Sequence, residues 1–122
     1  MKRTFVAIAL ALGSAAVVAA AALAREGSAP TLVGTVGPGY AIGLTQNGRA
    51  VKTLKHGTYT LVIHDKAAIH AWSLDGPHGY AKDFTGVPFI GTKTFTVTLK
   101  AGKYKYYCPP HEPIMFGHFT VT

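Results

Sequence analysis

The most informative segment of this chain is Tyr104-Lys105-Tyr106-Tyr107-Cys108-Pro109-Pro110-His111-Glu112-Pro113-Ile114-Met115. It contains the only cysteine among the 122 residues, followed by a histidine and a methionine at the spacing Cys-x2-His-x3-Met. Strand-like residues precede these three side chains, and a second strand-like run, 117–122, follows them. A loop held between two strands leaves its side chains little freedom to lose when a ligand binds. We therefore interpret the loop as a binding site.

A thiolate, an imidazole and a thioether are three of the four side-chain groups that bind the metal in a blue-copper site. Taken singly, a cysteine is usually a small buried apolar residue, and a methionine usually fills a gap in a core. Their presence together at the tip between two strands favours the metal. Cys108, His111 and Met115 are therefore candidate copper ligands, and one further histidine must come from elsewhere in the chain.

The strand-like run 67–74 supplies the best candidate for that histidine. Alternation along a strand places His70, Trp72 and Leu74 on one face and the residues between them on the other. A histidine that shares an inward face with such apolar side chains needs a polar partner or a metal. We predict His70 as the upstream ligand. Four other histidines are interpreted as surface or turn residues, one of them also a candidate for the rim of the site: His56, His64, His118 and, at the rim, His78.

Four segments read IHAWSLDGP at 69–77, TFTVTLKAG at 94–102, YYCPPH at 106–111 and MFG at 115–117. They resemble the blue-copper cupredoxins of the plastocyanin/azurin type, most closely their small secreted bacterial members. The resemblance spans residues 31–122. It implies one copper ion that cycles between Cu(I) and Cu(II), with His70, Cys108 and His111 as ligands and Met115 as the weak axial ligand.

One position departs from the pattern of that family. The residue after the upstream histidine is often asparagine, whose side chain ties its segment to the cysteine loop. Here it is Ala71, which offers only its backbone N–H. The resemblance therefore does not extend to the side-chain tie between the two segments, nor to the tuning of the redox potential that depends on it, although it does extend to the ligands.

The remaining sequence predicts an all-β fold. Eight short strand-like runs are separated by turns rich in glycine and proline, at 31–36, 40–45, 49–54, 58–64, 69–74, 94–99, 103–108 and 117–122. The long connection 75–93 is either functional or a crossover between two sheets. We expect a Greek-key β-sandwich, cupredoxin-like, over residues 31–122.

The first thirty residues have a different composition. Lys2 and Arg3 precede an apolar run, 5–23, which ends in Ala22-Leu23-Ala24. This order is typical of a secretory signal peptide, so we expect 1–24 to be removed and 25–30 to be a disordered lead-in. An uncleaved membrane anchor is the alternative. With cleavage, the protein is secreted or periplasmic and has no membrane span.

Composition and charge narrow the functional classes. The formal net charge of +7 falls to about +5 without the signal peptide, which suits an acidic protein partner or serves solubility alone. Scattered charges argue against nucleic-acid binding, and neither a Ser-His-Asp arrangement nor a carboxylate pair points to an enzyme. We expect a monomer that carries electrons to and from a redox-partner protein. A copper carrier or buffer without such a partner is the alternative; a metal-free adhesion-type sandwich would leave Cys108 unexplained.

Overall fold

The structure is a computed structural model, which describes residues 27–122. The expected signal peptide, 1–24, and the first two residues of the lead-in lie outside the described residues. Residues 27–30 have no regular secondary structure. Between 27 and 122, no helix is both long and apolar enough to span a membrane.

Ten strands form the described part of the chain, two more than the sequence predicts. They are β1 (Thr31–Val36), β2 (Ile42–Gln46), β3 (Arg49–Ala50), β4 (Thr53–Leu54), β5 (Gly57–Asp65), β6 (Ser73–Asp75), β7 (Ala81–Asp83), β8 (Gly91–Leu99), β9 (Gly102–Tyr107) and β10 (Phe116–Val121). Two single 3₁₀ turns complete this part, Pro77–Gly79 and Pro109–His111.

The strands form two five-stranded sheets. The first has the order β3-β2-β1-β5-β8 and the second the order β4-β10-β9-β6-β7. The pairs β1–β5 and β4–β10 are parallel and all others are antiparallel. The predicted all-β sandwich is confirmed. The long connection contains β7 of the second sheet and leads into β8 of the first, so it does cross between the sheets.

Alternating burial along β5 shows why the sheets pack face to face. Tyr59, Leu61 and Ile63 point into the core, and the residues between them are less buried. The fully buried indole of Trp72, which directly precedes β6 of the second sheet, donates from Nε1 to the carbonyl oxygen of Gly43 in β2 at 3.2 Å. This bond joins the two layers inside the core, next to the end of the molecule that carries the cysteine loop.

The predicted strand 49–54 is wrong as a single element. The chain breaks there into β3, at the edge of the first sheet, and β4, at the edge of the second. Between them, the N–H of Val51 still bonds to Leu44 of β2, while the carbonyl of Lys52 already accepts from Thr120 of β10. The segment changes sheets within two residues because its hydrogen-bonding partners lie on both.

The predicted strand 69–74 is also wrong in its extent and in its alternation. Only Ser73–Asp75 is strand, preceded by a turn in which the N–H of His70 donates to the carbonyl of Ala67 at 3.2 Å. All five residues from 70 to 74 are buried, whereas alternation would expose Ala71 and Ser73. Both faces of the segment are covered, because the N–H of Ala71 bonds to Sγ of Cys108 and Oγ of Ser73 donates to Oδ1 of Asp83 at 2.6 Å.

Candidate metal centre

The cysteine loop closes on itself through main-chain hydrogen bonds. Cys108 follows the last residue of β9, and its N–H donates to the carbonyl of Met115 at 3.0 Å. The carbonyl of Cys108 accepts from the N–H of His111 at 2.9 Å, and the carbonyl of His111 accepts from the N–H of Met115 at 2.9 Å. These bonds hold all three residues in one tight loop, with two prolines in its 3₁₀ turn.

A surface ion pair adds a small contribution to this loop. Lys105 of β9 bonds through Nζ to Oε1 of Glu112 at 2.8 Å. Both side chains are partly exposed, so solvent screens the pair, and such pairs contribute about 0.2–1 kcal/mol. The main-chain bonds are therefore the principal restraint on the loop.

Three potential ligand atoms converge where the loop meets the buried segment 70–74. The Nδ1 atoms of His70 and His111 lie 3.2 Å apart, and Sγ of Cys108 lies 3.7 Å and 3.6 Å from them, respectively. A point equidistant from the three atoms is about 2 Å from each, close to the bond lengths that imidazole nitrogen and thiolate sulfur make to a first-row metal ion. The three atoms thus form a trigonal set of the right size for one ion.

The donor chemistry of this set fits copper. Two imidazoles and one thiolate in a trigonal arrangement are typical of blue-copper centres. His70 and Cys108 are completely buried, and His111 is partly exposed. Water therefore has access to the set from the His111 side, and the other two donors are shielded from it.

Met115 is buried at the end of the loop, directly before β10. It is 1 % exposed, and its backbone groups bond to Cys108 and His111 as described above. Its position within the loop agrees with a role near the metal, while ligation by its sulfur stays a prediction.

One hydrogen bond reaches the cysteine sulfur from outside the loop. The backbone N–H of Ala71 donates to Sγ of Cys108 with a nitrogen–sulfur distance of 3.4 Å. Pro109 and Pro110, which follow the cysteine, have no N–H to offer. The position that departs from the family pattern thus does tie the His70 segment to the loop, through its main chain.

The two tyrosines before Cys108 support the loop from opposite sides. Tyr106 stacks on Trp72 with ring centroids 5.7 Å apart, and burial raises the pKa of its hydroxyl. Tyr107 donates from its hydroxyl to Oδ1 of Asp75 at 3.2 Å, and burial together with that carboxylate raises its pKa. Both phenols are therefore neutral at pH 7.

Tyr40 is a residue of the site that the sequence analysis did not identify. Its ring lies edge-on to the imidazoles of both His70 and His111, with centroid distances of 5.6 Å and 5.1 Å. It is 63 % exposed, so it covers the two histidines from the solvent side. Its only sequence signal is the preceding Gly-Pro-Gly turn, which says nothing about contacts with distant histidines.

The remaining histidines lie away from these donor atoms. His78 is exposed in the 3₁₀ turn whose Pro77 packs on Gly102, at the opposite end of β9 from Cys108. It therefore does not lie at the rim of the site. Nδ1 of His64 bonds to Thr92, Nδ1 of His56 bonds to the carbonyl of Thr122, and His118 is exposed on β10.

Comparison with solved structures identifies the fold of this chain. No protein-family model matches the sequence, and no curated protein matches it. A structure of the copper protein rusticyanin superposes with a TM-score of 0.55 at 20% identity, over 75% of this chain and 76% of that one. Rusticyanin from Thiobacillus ferrooxidans gives 0.50 at 24%, over 75% and 76%. A reduced variant of amicyanin gives 0.51 at 18%, over 80% of this chain and 88% of that one. The chain therefore has the cupredoxin fold of these proteins, in agreement with the expectation from its sequence.

Proposed function

We propose that this protein is a mononuclear type 1 blue-copper protein that carries single electrons. The observation that supports this most directly is the convergence of Nδ1 of His70, Sγ of Cys108 and Nδ1 of His111 on one point. These three residues would hold the ion, with Met115 as a weak axial ligand. Bound copper would supply the one-electron chemistry, by cycling between Cu(I) and Cu(II). The copper-protein structures that share the fold make the proposal consistent with the architecture.

The donor set favours copper over zinc. Structural zinc sites are usually tetrahedral, with thiolates and imidazoles at similar distances. The soft thiolate, together with a buried thioether from Met115, suits Cu(I), and the two imidazoles suit Cu(II). A set that serves both oxidation states is what an electron carrier requires.

The chain would keep the donor atoms in nearly the same place in both oxidation states. The hydrogen-bonded loop holds Cys108, His111 and Met115 to one another, and the N–H of Ala71 connects the loop to the segment of His70. Small changes in geometry mean that little reorganisation accompanies the transfer of an electron.

Electrons would enter and leave through His111, the only one of the three donors with solvent access. Two exposed apolar side chains of the described residues lie beside it: Tyr40, whose ring centroid is 5.1 Å from that of the imidazole, and Ile114, whose N–H donates to the carbonyl of His111. We infer that a redox-partner protein docks on this surface, and the net positive charge would favour an acidic partner. With the other ligands buried, an electron can reach the metal where a substrate cannot, so we propose no enzymatic activity.

The proposed location is the cell exterior or the periplasm. Residues 1–24 have the composition of a signal peptide, and their removal would leave a monomeric domain with a single cysteine. A lone thiol in an oxidising compartment is exposed to side reactions unless it is bound, and ligation to copper would protect it.

The decisive experiment records two spectra of the Cu(II)-loaded protein: its visible absorption spectrum and its electron paramagnetic resonance spectrum. We expect an intense thiolate-to-copper band in the visible range and a narrow copper hyperfine splitting. Cys108→Ser should abolish the band, and His78→Ala, the matched control at the other end of the sandwich, should leave it unchanged. A colourless Cu(II) adduct with a tetragonal spectrum would refute the proposal.

The rate of electron self-exchange separates electron transfer from copper carriage. A rigid site should exchange electrons rapidly between Cu(I) and Cu(II) molecules and retain copper in both states. Slow exchange combined with release of copper on reduction would favour the carrier or buffer.

A further inference from the structure

Two buried side-chain polar atoms in residues 27–122 lack a hydrogen-bond partner, and their residues lie close together in sequence. They are Oδ2 of Asp65 and Nε2 of His70. Asp65 is 2 % exposed and His70 is completely buried. An unpaired buried polar group is costly, so native structures seldom leave one without a purpose. Since one of these atoms can be a donor and the other is an acceptor, a hydrogen bond between them would satisfy both.

The chemistry of the imidazole decides which of the two atoms is the donor. Nδ1 of His70 is the atom that faces Cys108 and His111. A neutral imidazole that binds a metal through Nδ1 carries its proton on Nε2. The Nε2–H of His70 therefore needs an acceptor, and the unpaired carboxylate oxygen of Asp65 is the matching group.

The main chain places both groups against the same short piece of β1 and its following turn. Asp65 is the last residue of β5 and pairs in register with Val36. A Cβ atom on the next residue, Gly37, would lie 3.0 Å from Cδ2 of His70, the ring atom bonded to Nε2. The same Cβ would lie 3.2 Å from Cβ of Ala67, whose N–H donates to Oδ1 of Asp65 at 3.4 Å. The Nε2 edge of the imidazole and the alanine that bonds to the carboxylate thus both lie against Gly37.

We propose that Asp65 is a positioning residue for the metal centre, and that Oδ2 of Asp65 accepts a hydrogen bond from Nε2–H of His70 in the metal-bound protein. This inference rests on the proposed copper site. The bond fixes the orientation of the buried imidazole, and metal-ligating histidines commonly depend on such an acceptor. The negative charge of the carboxylate also favours the more positive Cu(II) site over the Cu(I) site, which lowers the reduction potential.

The first test needs no variant. In the diamagnetic Cu(I)-loaded wild-type protein, ¹H–¹⁵N spectroscopy should show His70 protonated on Nε2, with a proton that exchanges slowly with water. A nuclear Overhauser effect should connect this proton to the Cβ protons of Asp65. A rapidly exchanging Nε2 proton, or one without proximity to Asp65, would overturn the proposal.

The second test compares variants of the full copper-loaded protein. Asp65→Leu removes the acceptor and should weaken Cu(I) binding by about 10–100-fold. Asp65→Asn keeps an acceptor oxygen but removes the charge, so it should bind copper well and raise the reduction potential. The matched control is Asp83→Asn, which makes the same change in net charge on an exposed carboxylate of β7 and should leave the potential unchanged.

The outcomes separate this inference from the proposed function. If wild type gives no blue-copper spectrum, both fail. If wild type is blue but Asp65→Asn matches Asp83→Asn in potential, only the role of Asp65 is refuted. If Asp65→Leu does not fold, the spectroscopy of wild type and the potential of Asp65→Asn still decide the question.

Discussion

The backbone N–H of Ala71 donates a hydrogen bond to the sulfur of Cys108, across 37 positions of sequence and at 3.4 Å. In this chain it joins the segment of one candidate ligand to the loop of the other three. The side chain of residue 71 contributes nothing polar to the link. The bond therefore needs only the backbone N–H of residue 71, which any residue except proline could provide.

Removing that N–H should lower the reduction potential. A hydrogen bond to the thiolate is stronger when copper is reduced and the sulfur holds more negative charge, so Ala71→Pro should destabilise Cu(I) relative to Cu(II). A differential loss of about 1 kcal/mol corresponds to a drop of about 40 mV for one electron. Protein-film voltammetry measures it directly.

Ala68→Pro is the control for that substitution. Ala68 is the second residue of the turn closed by His70 and Ala67, a position that favours proline. It should leave the potential and the visible band unchanged. Equal shifts in both variants would show that backbone distortion, and not the lost donor, causes the effect.

Replacing the proposed axial ligand should also change the potential. Met115→Gln offers a harder oxygen donor, which stabilises Cu(II), while His70, Cys108 and His111 still bind the metal. We expect a lower potential with the visible band retained. An unchanged potential would mean that Met115 is not a ligand and only fills space at the end of the loop.

The packing between the sheets should not tolerate a methyl group on β1 at Gly34. A Cβ atom there would lie 2.5 Å from Cδ1 of Ile63 and 2.9 Å from Cε2 of Trp72. Gly34→Ala should therefore reduce the free energy of unfolding by about 1–3 kcal/mol. The control is Gly43→Ala on β2, where the nearest atom would be Oγ1 of Thr35 at 3.4 Å. Chemical denaturation of both variants should show a large loss only at position 34.

Alkaline pH should destabilise the protein partly through Tyr106. Burial raises the pKa of its phenol in the folded state, whereas an unfolded tyrosine ionises near pH 10. Above about pH 10 the unfolded chain therefore releases this proton first, and the free energy of unfolding falls as pH rises toward the folded-state pKa. Below pH 10 the phenol is neutral in both states and contributes no pH dependence.

Tyr106→Phe should remove that part of the alkaline slope. We expect the variant to differ from wild type by less than about 1 kcal/mol at pH 8 and to lose stability less steeply between pH 10 and 11. Urea unfolding of both proteins in the same metal state across this range checks it. Parallel slopes would mean that the phenol ionises equally easily in the folded and unfolded chains.

The sequence analysis reached His70 through an argument that was only partly right. The predicted strand would place His70 inward by alternation, and the side chain is indeed buried. Its burial, however, is not part of an alternating pattern, because other parts of the chain cover both faces of residues 70–74 and Ala71 and Ser73 are buried as well. Alternating burial is expected where protein covers one face of a strand and solvent the other. It is not expected where protein covers both faces.

The sequence was sufficient to predict the features that depend on residues close to one another along the chain. Cys108, His111 and Met115 lie within eight residues, and their loop closes through bonds among its own main-chain groups, so their proximity depends on few distant contacts. The clean alternation of β5 and β8 likewise predicts an all-β sandwich, because a strand with one apolar face must bury it against another layer. The remaining features depend on the tertiary structure: the donor from Ala71 to Cys108, the cover that Tyr40 provides, and the approach of His70 and Ala67 to Gly37. Each of these depends on how separate segments meet, and side-chain periodicity along one segment carries no information about its distance from another.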